Sequence, residues 1–106
     1  MLRDKAYIED ILIMAKDAVS FIEGLSKEDF SKDLKTQYAV IRCLEVIGEA
    51  AKKVSDKTKM KYDIPWPQIA KMRDLLIHSY GKVDYTEVWI TAKNDLPELI
   101  RILESK

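Results

Sequence analysis

An arginine, a histidine and a tyrosine stand close together in the run Lys71-Met72-Arg73-Asp74-Leu75-Leu76-Ile77-His78-Ser79-Tyr80-Gly81, and His78 is the only histidine in the chain. Imidazole is the one side chain whose unperturbed pKa lets it give and take protons near neutral pH. Any imidazole acid–base chemistry therefore falls to His78. A guanidinium nearby can hold a phosphate or a developing negative charge. Spacing alone also fits a quieter reading. A histidine near a helix C-terminus is a favourable dipole partner, and Asp74 with His78 makes an ordinary exposed helix pair. Arg73 can snorkel and Tyr80 can pack.

The elements that must position these residues are helical. Ile8, Leu12, Ala15, Val19 and Ile22 recur at helix spacing, and Gly24 is suited to stop that helix. A charged linker from Ser26 to Ser31 leads to a second helix starting near Ser31 or Lys32, with the stripe Val40, Leu44, Ile47, Ala51 and Val54. Gly48 lies inside it. A mid-helix glycine costs about 1 kcal/mol relative to alanine, and a close helix–helix crossing would explain it.

Residues Ser55 to Asp63 read as a polar loop. Prolines 65 and 67 place the start of a third helix, because proline is tolerated only in a first turn. This helix should end near Tyr80, with Gly81 as a left-handed cap. Asp84-Tyr85-Thr86-Glu87 has the pattern of a capping box for a fourth helix, with the stripe Val88, Ala92, Leu96, Leu99 and Leu103. Pro97 should kink or split it near Lys93. Four amphipathic helices with short connections make an antiparallel bundle.

On a wheel of about 100° per residue, Ile69, Met72, Leu76 and Tyr80 share the core side of the third helix. Asp74 and His78 share the opposite side, and Arg73 sits near the core edge. The polar line Tyr38, Arg42, Glu45 and Glu49 on the second helix reads as a solvated face with Arg42–Glu45 pairing. Trp66 and Trp89 read as core or boundary aromatics.

Composition bounds the function. The 106 residues carry 18 basic and 18 acidic side chains, a formal net charge of zero. That argues against a dedicated nucleic-acid-binding module, but not against an enzyme gripping one or two phosphates. The length is that of a single domain over residues 1–106. The lone Cys43 fits a small buried apolar residue in a reducing cytoplasm, and the N-terminus lacks the apolar stretch of a signal peptide. No second histidine, cysteine cluster or phosphate-cradling glycine loop points to a metal or cofactor. The amides are few, only Gln37, Gln68 and Asn94, as in many thermophilic chains.

Cleaving RNA by attack of the 2′-hydroxyl needs a base, an acid and a cation. One imidazole per chain supplies both proton-transfer roles only awkwardly. A twofold dimer would bring two histidines and two arginines together.

Several blocks in order carry a wider resemblance: Ala39 to Lys52, then Ile64-Pro65-Trp66, Lys71 to Asp74, His78-Ser79-Tyr80, Val83-Asp84 and Asp95-Leu96-Pro97. With these the chain resembles the HepT-like proteins, minimal members of the HEPN superfamily. The resemblance implies an all-α, antiparallel four- to five-helix HEPN bundle that dimerises. It further implies the RNase toxin of a type II-like HEPN/MNT toxin–antitoxin module, cutting RNA without a metal or cofactor at a composite site on the dimer interface. The R-x4-H-x-Y motif falls on Arg73, His78 and Tyr80. His78 is then the proton-transfer residue, Arg73 the phosphate or transition-state binder, and Asp74 a supporting group. The implied partner is an MNT-type nucleotidyltransferase antitoxin that can attach AMP to Tyr80. Added phosphate there would repel RNA and occupy the arginine.

Many members carry asparagine where this chain has Asp74, and Gly81-Lys82 replaces a bulkier turn. A carboxylate at Asp74 can orient His78 or neutralise Arg73. The alternative reading is a non-catalytic helical module that binds or regulates a nucleotidyltransferase.

Overall fold

The computed structural model describes residues 2–78 and 84–105, apart from the side chains of Leu2, Met72 and residues 74–78. The described elements are helices α1 (Leu2–Ile22), α2 (Lys27–Lys32), α3 (Leu34–Lys53), α4 (Asp56–Lys59), α5 (Trp66–His78), α6 (Tyr85–Ile90) and α7 (Leu96–Glu104). A π-helical turn, Thr91–Asp95, joins the last two. All described secondary structure is helical, as expected. Among the described residues no helix is long and apolar enough to cross a membrane.

Helix α3 is the central element and packs against α1 on one side and α5 on the other, while α7 covers α1. The stripe read from its sequence is buried throughout: Val40, Leu44, Ile47, Ala51 and Val54 are all at most 4% exposed. Cys43 is buried beside them, as expected, and burial pushes its thiol pKa up, helped by the negative charge of Asp17. In α1 the deepest line is Ile11, Ala15, Ala18 and Ile22, whereas Ile8, Leu12 and Val19 are only partly buried. The buried line is rotated by part of a turn from the expected stripe, because α1 meets both α3 and α7 and its buried arc is wider than a single line. Gly24 closes α1 at φ +81°, a conformation that suits glycine.

Two expected loops contain short helices. Ser26 caps α2 in a reciprocal capping box with Asp29, and Phe30 is driven into the core against the Trp89 ring, with centroids 5.5 Å apart. The linker therefore stops being a loop because its one aromatic has a place to go. Asp33 then restarts the chain as α3 by accepting from the Thr36 N–H. Ser55 caps α4 in the second loop.

The last helix keeps its whole stripe buried, with Ala92 and Leu96 at 0% exposure. Asp84 caps it through the Thr86 and Glu87 N–H groups. The interruption expected from Pro97 takes the form of the π-helical turn. Leu96 N–H reaches back to the Thr91 carbonyl, and the wider turn makes room for a proline ring that would otherwise press on the carbonyl of Lys93.

Candidate active site

Helix α5 carries the arginine and the histidine, so what holds it comes first. Its N-terminal end is anchored by Trp66, which is buried and donates from Nε1 to the Lys59 carbonyl at 3.2 Å. The Lys59 ammonium lies 5.9 Å from the same ring. Helix α4, which supplies that carbonyl, is tied to α1 by a buried carboxylate. Asp4 is 5% exposed and accepts from the Ser55 hydroxyl, from the Ser55 N–H at 3.1 Å and from the Thr58 hydroxyl at 2.7 Å. These bonds, the Ser55 hydroxyl foremost and then that of Thr58, lower its pKa to about 2. The chain from Asp4 through Ser55 and Thr58 to Trp66 fixes where α5 begins. Periodicity did not reveal this tether. The usable signal was a Ser-x-x-Thr pair after a helix end, but its acid comes from a residue 51 positions away.

The second support is at mid-helix. Arg73 is half-buried, at the core edge where the wheel placed it. Its Cβ faces Gly48 of α3, and a Cβ built on Gly48 would lie 2.5 Å from the Cβ of Arg73. The close crossing expected at Gly48 is therefore present, and its partner is the candidate arginine. Lys71 is exposed.

The backbone of Asp74 and His78 continues the helix begun at Trp66. His78 stands five positions after Arg73 on the helix, a rotation of about 140° and a rise of about 7.5 Å. One copy of α5 thus sets the two positions on different faces. The expected end near Tyr80, the Gly81 cap and Tyr80 itself lie outside the described residues, as do the side chains of Asp74, His78, Met72 and Leu76.

Other polar groups have simpler roles. On the outer face of α3, Tyr38, Arg42 and Glu49 are exposed and Glu45 half-buried. The ion pair formed there is Glu49 with Lys53 at 3.6 Å; the expected Arg42–Glu45 pair is not formed among the described residues. An open surface groove of about 1010 Å³ runs past Lys59, Lys61, Trp66 and Arg101. It is a poor anion site, because Asp56 and Asp63 also line it and Glu98 holds Arg101 in a two-point contact. Among the described residues no group of three or more His, Cys, Asp or Glu could hold a metal ion. Trp66 and Trp89 are both buried, as read from the sequence.

Comparison with known proteins bears on this arrangement. The family described as Ribonuclease HepT-like matches residues 11–105. Two Methanocaldococcus jannaschii proteins that carry RNase names are each 46% identical over 101 residues, covering 94% of this chain and 87% and 84% of their own lengths. A Thermococcus cleftensis protein named probable ribonuclease HepT is 46% identical over 96 residues, 90% of this chain and 87% of its own. No solved structure matches the chain.

Proposed function

The chain belongs to the HepT-like ribonuclease family, and from that premise we propose that it is a toxin that cleaves RNA with His78 and Arg73 and no metal ion. The observation that carries the reading is the placement of Arg73. It is half-buried, and its Cβ and main chain lie against Gly48 of α3, so the central helix fixes the point from which the guanidinium extends. In the reaction, His78 takes the proton from the 2′-hydroxyl, which attacks the adjacent phosphorus. The 5′-oxygen leaves with a proton, and a 2′,3′-cyclic phosphate remains. Arg73 binds the charge that grows on the phosphoryl oxygens.

The site is composite. The rotation of about 140° between the two positions, with one imidazole per chain, supports a twofold dimer in which a second α5 supplies the missing proton donor or acceptor. The resemblance supports the rest: an MNT-type nucleotidyltransferase as antitoxin, and addition of AMP to Tyr80 as the way it silences the toxin. Phosphate charge two residues from His78 would compete with RNA for Arg73.

The test is cleavage of RNA by the purified chain in EDTA, with analysis of the product ends. Cyclic phosphate ends are expected. A strict requirement for a divalent ion, or 3′-hydroxyl ends, would contradict the mechanism.

A further inference from the structure

Gly48 has an ordinary helical backbone; the one glycine at positive φ among the described residues is Gly24. Backbone conformation therefore does not explain Gly48. Space does. Outside its own stretch of helix, the three heavy atoms nearest to a Cβ built there are all from Arg73: its Cβ at 2.5 Å, its backbone N at 3.0 Å and its Cα at 3.2 Å. No rotamer of Arg73 can relieve such a clash, since two of the atoms are main chain and the third is fixed by it.

Carbon atoms in contact settle at about 3.5–4.0 Å, so a methyl group at position 48 would push α5 away by about 1 Å. The missing side chain sets how deep one particular residue sits, and that residue carries the guanidinium. We propose that Gly48 is a positioning residue for RNA cleavage: it acts through Arg73, by letting α5 seat the guanidinium at the depth the reacting phosphate requires. This rests on the reading of Arg73 given above.

A misplacement of about 1 Å costs on the order of 100-fold in rate when the displaced group is one that must be aligned. Gly48→Ala changes no functional group and improves helix propensity by about 1 kcal/mol, so any loss comes from the seat of α5. Because Arg73 serves the transition state in this account, the loss should fall on kcat and leave KM nearly unchanged.

The experiment is a double-mutant cycle on cleavage of a short RNA, at a temperature where every variant is folded by circular dichroism. The variants are Gly48→Ala, Arg73→Ala and both together, with Ala50→Gly as a control for helix propensity in the same helix. The expected result is a kcat lower by about 100-fold in Gly48→Ala. The same substitution should cost at least about tenfold less once Arg73 is already alanine; the part that persists is the shift of His78 on the same helix. Equal losses in both backgrounds, or a folded Gly48→Ala with wild-type kcat, would overturn the proposal while leaving Arg73 in its role. Full cleavage by Arg73→Ala would instead overturn the reading of the arginine, and Gly48 would have nothing to position. If Gly48→Ala does not fold, the cycle is run in a stabilising osmolyte. Failure to fold there too would make Gly48 a packing residue and overturn the proposal.

Discussion

Two helices of this molecule break the rules of helix sequence, and they do so differently. Helix α3 carries Gly48 at mid-length, and the last helix carries Pro97 inside a continuous apolar stripe. At Gly48 the backbone stays regular and the gain is proximity: α5 comes close enough for Arg73 to touch the main helix. At Pro97 the backbone itself changes, and Thr91–Asp95 winds into a π turn so that Ala92 within it and Leu96 just after it stay fully buried. A π turn often marks a functional position. Here it has a local cause, and the buried residues it serves are apolar. The regular helix with the odd residue is the one that meets a chemical group. With Arg73 in the role proposed for it, an irregular backbone is a weaker pointer to a site than a regular backbone with a side chain left out.

If this contrast is right, substitutions near the α3–α5 crossing change activity more than stability, and those around the π turn do the reverse. The largest expected effect is that of Arg73→Ala: a loss of about 100- to 1000-fold in kcat for RNA cleavage, as for removal of one transition-state hydrogen-bond donor, in steady-state assays of a chain that still folds. A drop in melting temperature with unchanged kcat would reverse the contrast at its centre.

Next is Leu96→Ala in the last helix. Leu96 is fully buried, so the substitution should remove about 2–5 kcal/mol from the unfolding free energy measured in urea. Cleavage per folded molecule should remain at the wild-type level.

A smaller effect is expected at the tether beneath α5. The folded pKa of Asp4 is depressed to about 2, so its bonds to Ser55 and Thr58 stabilise the fold fully above the unfolded aspartate value. That contribution is lost as pH falls from about 4 towards 2. Asp4→Asn should lower the melting temperature at pH 7, and the gap to wild type should close on acidification. A gap that widens in acid would show that the carboxylate is not what holds α1 to α4.

The smallest effect belongs to Pro97→Ala. It should leave cleavage within about twofold of wild type, since among the described residues the π turn packs mainly against α1, α6 and α7. A tenfold loss there would put the irregular backbone back among the functional features.

Much of this arrangement was legible in the sequence, for identifiable reasons. The α3 stripe from Val40 to Val54 and the last stripe from Val88 to Leu103 each bury one well-defined face, so periodicity alone located them. Prolines 65 and 67 fixed the start of α5 within a residue. The short helix at Lys27–Lys32 was missed because one buried phenylalanine leaves no periodic pattern, and its Ser26–Asp29 capping box lay within a segment read as charge. The α1 stripe was rotated because that helix faces two neighbours. Of the candidate site, the residue types and the odd glycine were visible, but the pairing of Gly48 with Arg73 was not. Two residues that meet across a helix crossing have no fixed spacing along the chain. The Asp4 tether was hidden for the same reason.

In the proposed reaction everything turns on the imidazole of His78. The most direct measurement is RNA cleavage in EDTA by the wild-type protein and by His78→Ala, each shown to be folded and assayed at equal concentration. Cleavage by wild type and a loss of at least about 100-fold in the variant are expected. Equal cleavage by both proteins would contradict the role of His78. No cleavage by either, with Tyr80 free of AMP by mass spectrometry, would contradict the nuclease itself and favour a helical module that serves a nucleotidyltransferase.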